Sequence, residues 1–146
     1  MTALDETSVP AEAEETVDGL KVRDEVDPVP MEPRQLAWMR VAGRMPDDER
    51  LHQCALAYLS DRSLLDTCTW PHGVSFMQPN FQTASLDHAM WFHRPFSFDD
   101  EWLLYCMESP TAGGARGLAR GQIFNQQGEL VASTMQEGLV RQKGES

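Results

Sequence analysis

The stretch PDDERLHQCALAYLSD, residues 46–61, predicts the long helix on which the fold of this chain depends. Three acidic residues directly follow Pro46, and both features are typical of a helix start, where proline fits and the helix dipole favours negative charge. Leu51, Cys54 and Tyr58, together with several alanines and leucines, occupy more than one side of the helix. This pattern predicts a helix that is largely buried.

The rest of the folded chain has the pattern of a β-sheet. One strand is predicted before the helix, at 35–45, and a short second helix is predicted after it, at 62–68. Gly128 in NQQGE is typical of a tight hairpin loop that needs positive φ. Four later strands are predicted at 82–94, 102–108, 116–125 and 130–141. A long helix on a curved antiparallel sheet is an α+β arrangement.

Length and charge indicate one folded domain with an acidic leader. The chain has 146 residues and a net charge of −11. Residues 1–35 hold ten Asp/Glu against three Lys/Arg, a net charge of −7. We predict a flexible acidic leader at residues 1–30, because it has too little apolar area to offset its ordering entropy, and a folded domain at 31–146. No basic patch follows, so neither nucleic acid nor an anionic membrane is an expected partner.

The three cysteines indicate reduced thiols. Cys54, Cys68 and Cys106 are far apart and form no CxxC pair, so neither a disulfide framework nor a zinc site is expected. The N-terminal residues lack the basic and apolar pattern of a secretory signal. The predicted location is therefore the cytoplasm.

The predicted strand 82–94, QTASLDHAMWFHR, carries polar residues that are unusual in a strand. Strict alternation places Ser85, Asp87 and His93 on one face and His88 on the other. The two histidines would then point apart, so we expect no shared metal ion, and each is predicted to be structural.

Two other polar residues allow two interpretations each. Gln136 is either an edge glutamine facing water or a buried amide that needs hydrogen-bond partners. Asp61 is either a cap of the short second helix or a group with a chemical role. The sequence pattern alone favours the water-facing glutamine and the helix cap.

Several motifs together resemble the C-terminal half of acyl-CoA thioesterase II. The segments PDDERLHQCALAYLSDRSLL, PHGVSF, SLDHAMWFHRPF, RGLARG and QEGLVR occur in the order and spacing of that family, and the resemblance covers residues 33–141. It implies a single hot-dog domain, in which an antiparallel sheet wraps around one long helix. It also implies that the other hot-dog repeat of the family is missing here.

The resemblance implies hydrolysis of fatty acyl-CoA to a fatty acid and CoA, with no metal, cofactor or covalent intermediate. The catalytic residues that it implies are Asp61, Ser85 and Gln136, which would orient and deprotonate a water molecule. Asp87 is expected to support this site and not to react. Candidates for binding the CoA phosphates are Arg94, Arg116 and Arg120, although ordinary solvated arginines are an equal interpretation.

The missing repeat leads to two further predictions. A lone repeat would expose a sheet face and an edge, so we expect a homodimer or pairing with another hot-dog chain. The alternative function is a non-catalytic acyl-CoA-binding or accessory subunit. A hot-dog hydratase is not expected, because His52 and Asp61 lie nine residues apart and form no suitable pair.

Overall fold

A computed structural model describes residues 29–76 and 78–143 of the chain. Nearly all of the predicted acidic leader lies outside these residues, so the leader and its boundary stay predictions. The helix is α1 (Glu49–Asp61). Two 3₁₀ turns follow it, at Leu65–Cys68 and Trp70–His72. The strands are β1 (Arg34–Met39), β2 (Phe81–Ser85), β3 (Ala89–Phe92), β4 (Leu103–Gly113), β5 (Arg116–Phe124) and β6 (Leu130–Gln142).

The strands form one antiparallel sheet in the order β1-β4-β5-β6-β2, and β3 also pairs with β6. Alternate residues of β4, β5 and β6 point to the inner face and are buried. The core between this face and α1 contains Leu56, Leu64, Leu103, Tyr105 and Ile123. The predicted α+β arrangement of one long helix against a curved antiparallel sheet is confirmed.

Helix α1 begins one turn later than Pro46 and is buried on one side only. The Asp48 carboxylate caps the helix by accepting from the Arg50 N–H at 3.0 Å. His52, Leu56 and Ser60 are buried, whereas Leu51 and Tyr58 are 43% and 66% exposed. The prediction of a largely buried helix is therefore wrong, because the sheet covers one side and leaves an apolar stripe on the other.

The predicted strand 82–94 is two strands separated by residues 86–88. Strand β2 pairs with the end of β6 and β3 pairs with its middle. The carbonyl of Glu137 accepts from the N–H groups of both Leu86 and Asp87, at 2.9 and 3.3 Å. This side has one residue more than β6 between the paired positions, which shifts the alternation of side chains between the two strands, so the predicted assignment of faces across residues 85–93 is wrong.

The connection between β4 and β5 is shorter than predicted. The segment after Glu108, expected to be a glycine-rich loop, continues β4 to Gly113 beyond a β-bulge. Only Gly114 and Ala115 turn the chain, and both have positive φ, 61° and 62°. Gly128 has φ 79°, as predicted for the next hairpin.

Two other predicted elements are shorter in the structure. Strand β1 ends at Met39 and not near residue 45, since the chain leaves the sheet and turns through Gly43 at φ 85°. The second helix is only the 3₁₀ turn Leu65–Cys68. The side chain of Leu65 in this turn occupies the space where a Cβ at Gly138 would lie, which places the turn directly against β6.

Candidate active site

The last turn of α1 is fixed to the sheet by one buried tyrosine. The Tyr105 hydroxyl donates to the carbonyl of Ser60 at 3.2 Å and shares a hydrogen bond of 2.8 Å with the Thr134 hydroxyl. Burial raises the pKa of Tyr105 far above its usual value, and the negative charge of Asp61 adds to this shift. The neutral phenol therefore ties the residue before Asp61 to β6, two residues before Gln136.

Gln136 is the polar centre of the site. Gln136 is fully buried, and its Nε2 donates to Asp61 Oδ1 at 2.5 Å and to Ser85 Oγ at 2.7 Å. The interpretation as a water-facing edge glutamine is wrong. The reason is that β6 is flanked by strands on both sides and Gln136 points to the inner face, where Asp61 at the end of α1 contacts it.

Ser85, the last residue of β2, completes a triangle with these two groups. Its hydroxyl accepts from Gln136 and lies 3.5 Å from Asp61 Oδ1, to which it donates. The Asp61 side chain is 52% exposed, so the carboxylate lies between a buried amide and solvent. Asp61 does not cap the second helix, because the N-cap of the 3₁₀ turn is Leu64, without a side-chain hydrogen bond.

His88 also reaches this site, contrary to the prediction that it faces away. Its Nε2 lies 2.9 Å from Ser60 Oγ, and its Nδ1 lies 3.8 Å from Asp61 Oδ1. The interruption of the strand brings Ser85 and His88 to the same side. Asp87 was the residue in the sequence that indicated this interruption, because aspartate is rare inside strands and favours turns. His93 instead bonds Ser133 Oγ at 2.9 Å, away from Asp61.

Asp87 holds the interruption in place. Its carboxylate accepts from the N–H of Glu137 at 2.7 Å. It thereby replaces the backbone carbonyl that a regularly paired neighbouring strand would present to this N–H. Glu137 is the residue after Gln136. Asp87 therefore fixes the backbone that carries the amide of the site, and its supporting role stays a prediction.

The three candidate arginines are not brought to Asp61. Arg94 donates to the Leu130 carbonyl at 2.7 Å. Arg116 and Arg120 lie on the face opposite Gln136 and pair with Glu137 and Glu108, at 3.7 and 2.6 Å. Arg120 also lines a trough of about 830 Å³ that none of the catalytic candidates lines. Their role in binding CoA stays a prediction.

Residues 29–76 and 78–143 contain neither a candidate metal cluster nor a membrane-spanning helix. No group of three or more His, Cys, Asp or Glu side chains in these ranges is arranged to hold a metal ion. No helix in the same ranges is long and apolar enough to cross a bilayer. The three cysteines are free thiols.

Known proteins match most of the chain. The model of the acyl-CoA thioesterase family matches residues 20–139. Acyl-CoA thioesterase 2 of Haemophilus influenzae is 47% identical over 107 residues, and human acyl-coenzyme A thioesterase 8 is 45% identical over 118 residues. The crystal structure of an acyl-CoA thioesterase II from Mycobacterium marinum is 50% identical, with a TM-score of 0.70. These matches confirm the resemblance predicted from the motifs.

The matches cover much more of this chain than of the relatives. They include 73% and 77% of this chain but 37% and 35% of the Haemophilus and human proteins. For the Mycobacterium marinum structure the shares are 84% and 47%. The chain therefore spans between about a third and a half of the length of these relatives.

Proposed function

We propose that this chain, which belongs to the acyl-CoA thioesterase family, hydrolyses fatty acyl-CoA to a free fatty acid and CoA. The observation that carries the proposal is the mutual contact of Asp61, Ser85 and Gln136, which come from a helix end and two separate strands. Contact at 2.5 Å between the Asp61 carboxylate and the Gln136 amide satisfies the requirement that a general base and its orienting groups share one site.

The hydrogen bonds support different roles for the two oxygens of Asp61. Oδ1 accepts from Gln136 and Ser85, whereas Oδ2 makes no hydrogen bond to any residue in the described ranges. Oδ2, on a side chain that is 52% exposed, is the oxygen that faces an incoming water. Gln136 and Ser85 thus orient the base, and proper orientation of base and water lowers the barrier of the reaction.

In the proposed reaction, the water oxygen bonds to the thioester carbonyl carbon while Asp61 Oδ2 takes one of its protons. The resulting tetrahedral intermediate collapses as the carbon–sulfur bond breaks. The CoA thiolate leaves and takes the proton from Asp61, so the base returns to its carboxylate form. One water is consumed, and neither a covalent enzyme intermediate nor a cofactor enters the balance.

The direct test replaces the base by its neutral isostere. Asp61→Asn is expected to lower the rate of thiol release from acyl-CoA by about 10²–10⁴-fold, the usual effect of losing a general base. Asp100→Asn is the matched control, because Asp100 is exposed and lies outside the site. The assay should cover a series of acyl chain lengths. An Asp61→Asn rate equal to that of wild type would reject Asp61 as the general base.

The alternative of a non-catalytic acyl-CoA-binding or accessory subunit makes the opposite prediction. A separation of Asp61 and Gln136 too large for them to share a water would favour that alternative. The two residues are instead in direct contact. Binding of acyl-CoA by the wild-type protein, measured by calorimetry, with no thiol release for any chain length would nevertheless establish it.

We also propose that the domain pairs with a second hot-dog domain, either another copy or a separate chain. The apolar stripe on α1, with Leu51 and Tyr58 exposed, leads toward Asp61, and Leu86 beside the site is 58% exposed. Strands β1 and β2 lie at the two ends of the ordered sheet, where unpaired edges favour association. Light scattering at micromolar concentration tests this proposal, and a stable monomer would contradict it.

For the CoA phosphates, the proposed ligands are Arg94, Arg116 and Arg120, whose side chains are exposed. Single alanine substitutions should raise KM and leave kcat unchanged, because uniform binding would be lost. Arg44→Ala is the control, since Arg44 is 97% exposed and remote in sequence from all three. An arginine whose removal leaves KM unchanged is not a phosphate ligand.

The cytoplasmic location also remains a proposal, which imaging of a tagged chain would test.

A further inference from the structure

We infer that His88 is a positioning residue for Asp61, with its Nδ1–H directed at carboxylate oxygen Oδ1. The inference rests on the proposed hydrolytic function and adds a fourth group to it. It starts from an unusual feature of the His88 ring. Nδ1 is buried and has no hydrogen-bond partner within the described part of the chain, and it lies 3.8 Å from Asp61 Oδ1.

The ring is held at its other nitrogen. Nε2 lies 2.9 Å from Ser60 Oγ, and Ser60 directly precedes Asp61 at the end of α1. The imidazole is only 20% exposed, so its rotation is restricted by the groups around it. His88 therefore spans from the backbone interruption between β2 and β3 to the helix end that carries the proposed base.

The hydrogen-bond count distinguishes between the two neutral tautomers. Ser60 has one hydroxyl hydrogen, with the Ala57 carbonyl at 3.0 Å and His88 Nε2 at 2.9 Å as acceptors. If that hydrogen goes to Ala57, then Nε2 must carry the ring hydrogen, and Nδ1 presents a bare lone pair to the Asp61 carboxylate. Two acceptors would then face each other at a buried position, which is unfavourable.

The other tautomer satisfies every group. If Ser60 donates to Nε2, then Nδ1 carries the hydrogen and directs it toward Asp61 Oδ1, 3.8 Å away. The structure thus assigns the Nδ1-protonated form to His88. Oδ1 would then accept from three donors, on Gln136, Ser85 and His88.

Three donors on one carboxylate oxygen determine how the base works. They fix the plane of the Asp61 carboxyl group and leave Oδ2 to accept the proton of the water. His88 touches neither the substrate nor the water in this arrangement, so its effect passes through Asp61. Its loss should therefore lower kcat and leave KM nearly unchanged.

The kinetic test compares two conservative variants. In His88→Asn the amide nitrogen takes the place of Nδ1 and keeps a donor to Asp61, whereas in His88→Gln the amide reaches Ser60 and leaves no donor at Nδ1. We expect His88→Gln and His88→Ala to lower kcat by about 10–100-fold and His88→Asn to retain most of it. A purely structural contact with Ser60 would reverse the order of Asn and Gln.

His93 provides the matched control. It makes the same type of contact, Nε2 to Ser133 Oγ at 2.9 Å, but lies away from Asp61. His93→Gln should keep the wild-type kcat and KM. Circular dichroism and thermal unfolding should show that all variants are folded. A His88→Gln kcat at the wild-type level, or a His88→Asn kcat as low as that of His88→Ala in folded protein, would overturn the inference.

A second measurement is independent of turnover. Nitrogen-15 NMR of histidine-labelled wild-type protein reports which ring nitrogen carries hydrogen, and the signal of His88, one of four histidines, is identified by its loss in His88→Asn. We expect protonated Nδ1. A neutral Nε2-protonated ring would overturn the inference even in an active enzyme. If no acyl-CoA is hydrolysed, the proposed function fails separately, and NMR still reports whether Nδ1 of His88 carries the hydrogen.

Discussion

Removal of the Tyr105 hydroxyl tests the connection that sets the position of Asp61. In Tyr105→Phe the ring remains and only the hydroxyl is lost. That hydroxyl bonds the Ser60 carbonyl at 3.2 Å and the Thr134 hydroxyl at 2.8 Å, and all three residues are at most 2% exposed. Water therefore cannot easily replace the missing partner, and two buried polar groups lose a hydrogen bond.

The expected loss of stability follows from that count. A buried polar group left without its partner costs about 1–3 kcal/mol. Part of this cost disappears as the structure relaxes, so we expect Tyr105→Phe to lower the free energy of unfolding by about 2–4 kcal/mol. With a urea dependence of about 2 kcal/mol per molar, the midpoint should fall by about 1–2 M. Tryptophan fluorescence at fixed protein concentration measures it.

The other tyrosine is the control. Tyr58 lies on the same helix, is 66% exposed, and its hydroxyl has no hydrogen bond among the described residues. Tyr58→Phe should change the free energy of unfolding by less than about 0.5 kcal/mol. Equal midpoints for the two variants would refute the view that this hydroxyl fixes the helix end to the sheet.

The pH dependence gives a second readout of the same residue. Because burial raises the pKa of folded Tyr105 above its unfolded value of 10.0, the unfolded state ionises first as pH rises. The stabilisation is complete below pH 10 and is lost progressively above it. Tyr105→Phe should remove this part of the alkaline loss, and an unchanged alkaline slope would contradict the assignment.

Three further predictions concern the framework. Ala115→Gly should raise the unfolding free energy by about 0.5–1 kcal/mol in urea titration, because Ala115 has φ 62°; Ala112→Gly, within β4, should lower it. Gly121→Ala should destabilise by about 1–3 kcal/mol in the same assay, because a Cβ there would collide with the Tyr105 ring; a neutral effect would contradict this packing. Burial raises the pKa of Cys68 from 9.0 to about 11, so the free energy of unfolding should fall between these pH values, by at most about 2 kcal/mol after allowance for solvent screening. Urea midpoints measured against pH should show that Cys68→Ala removes this loss. A loss in the variant equal to that of wild type would refute the prediction.

Local patterns predicted the elements of the fold well where one pattern dominated. The acidic residues after Pro46 indicated the helix start to within one turn, and Gly128 indicated its hairpin correctly. The prediction that α1 is largely buried was wrong, because apolar residues occupy two sides of the helix and the sheet covers only one of them. Composition alone does not say which side a single sheet will cover.

The site was harder to predict because its residues are far apart in the chain. Gln136 and Asp61 are 75 residues apart, and a lone glutamine in a strand has no local pattern that distinguishes burial from exposure. The family motifs identified Asp61, Ser85 and Gln136, and the structure brings them into contact. His88 was missed because alternation was applied across an interruption of the strand.

That interruption sets the directions of the side chains in the site. In an unbroken strand, Ser85 and His88 would point to opposite faces, because they are three residues apart. At residues 86–88 the N–H groups of Leu86 and Asp87 instead share the Glu137 carbonyl, and the Asp87 carboxylate accepts from the Glu137 N–H. Both backbone groups of Glu137 therefore have hydrogen-bond partners at the interruption. The interruption brings Ser85 and His88 to the same side of the sheet, next to Asp61, and Asp87 holds it in place.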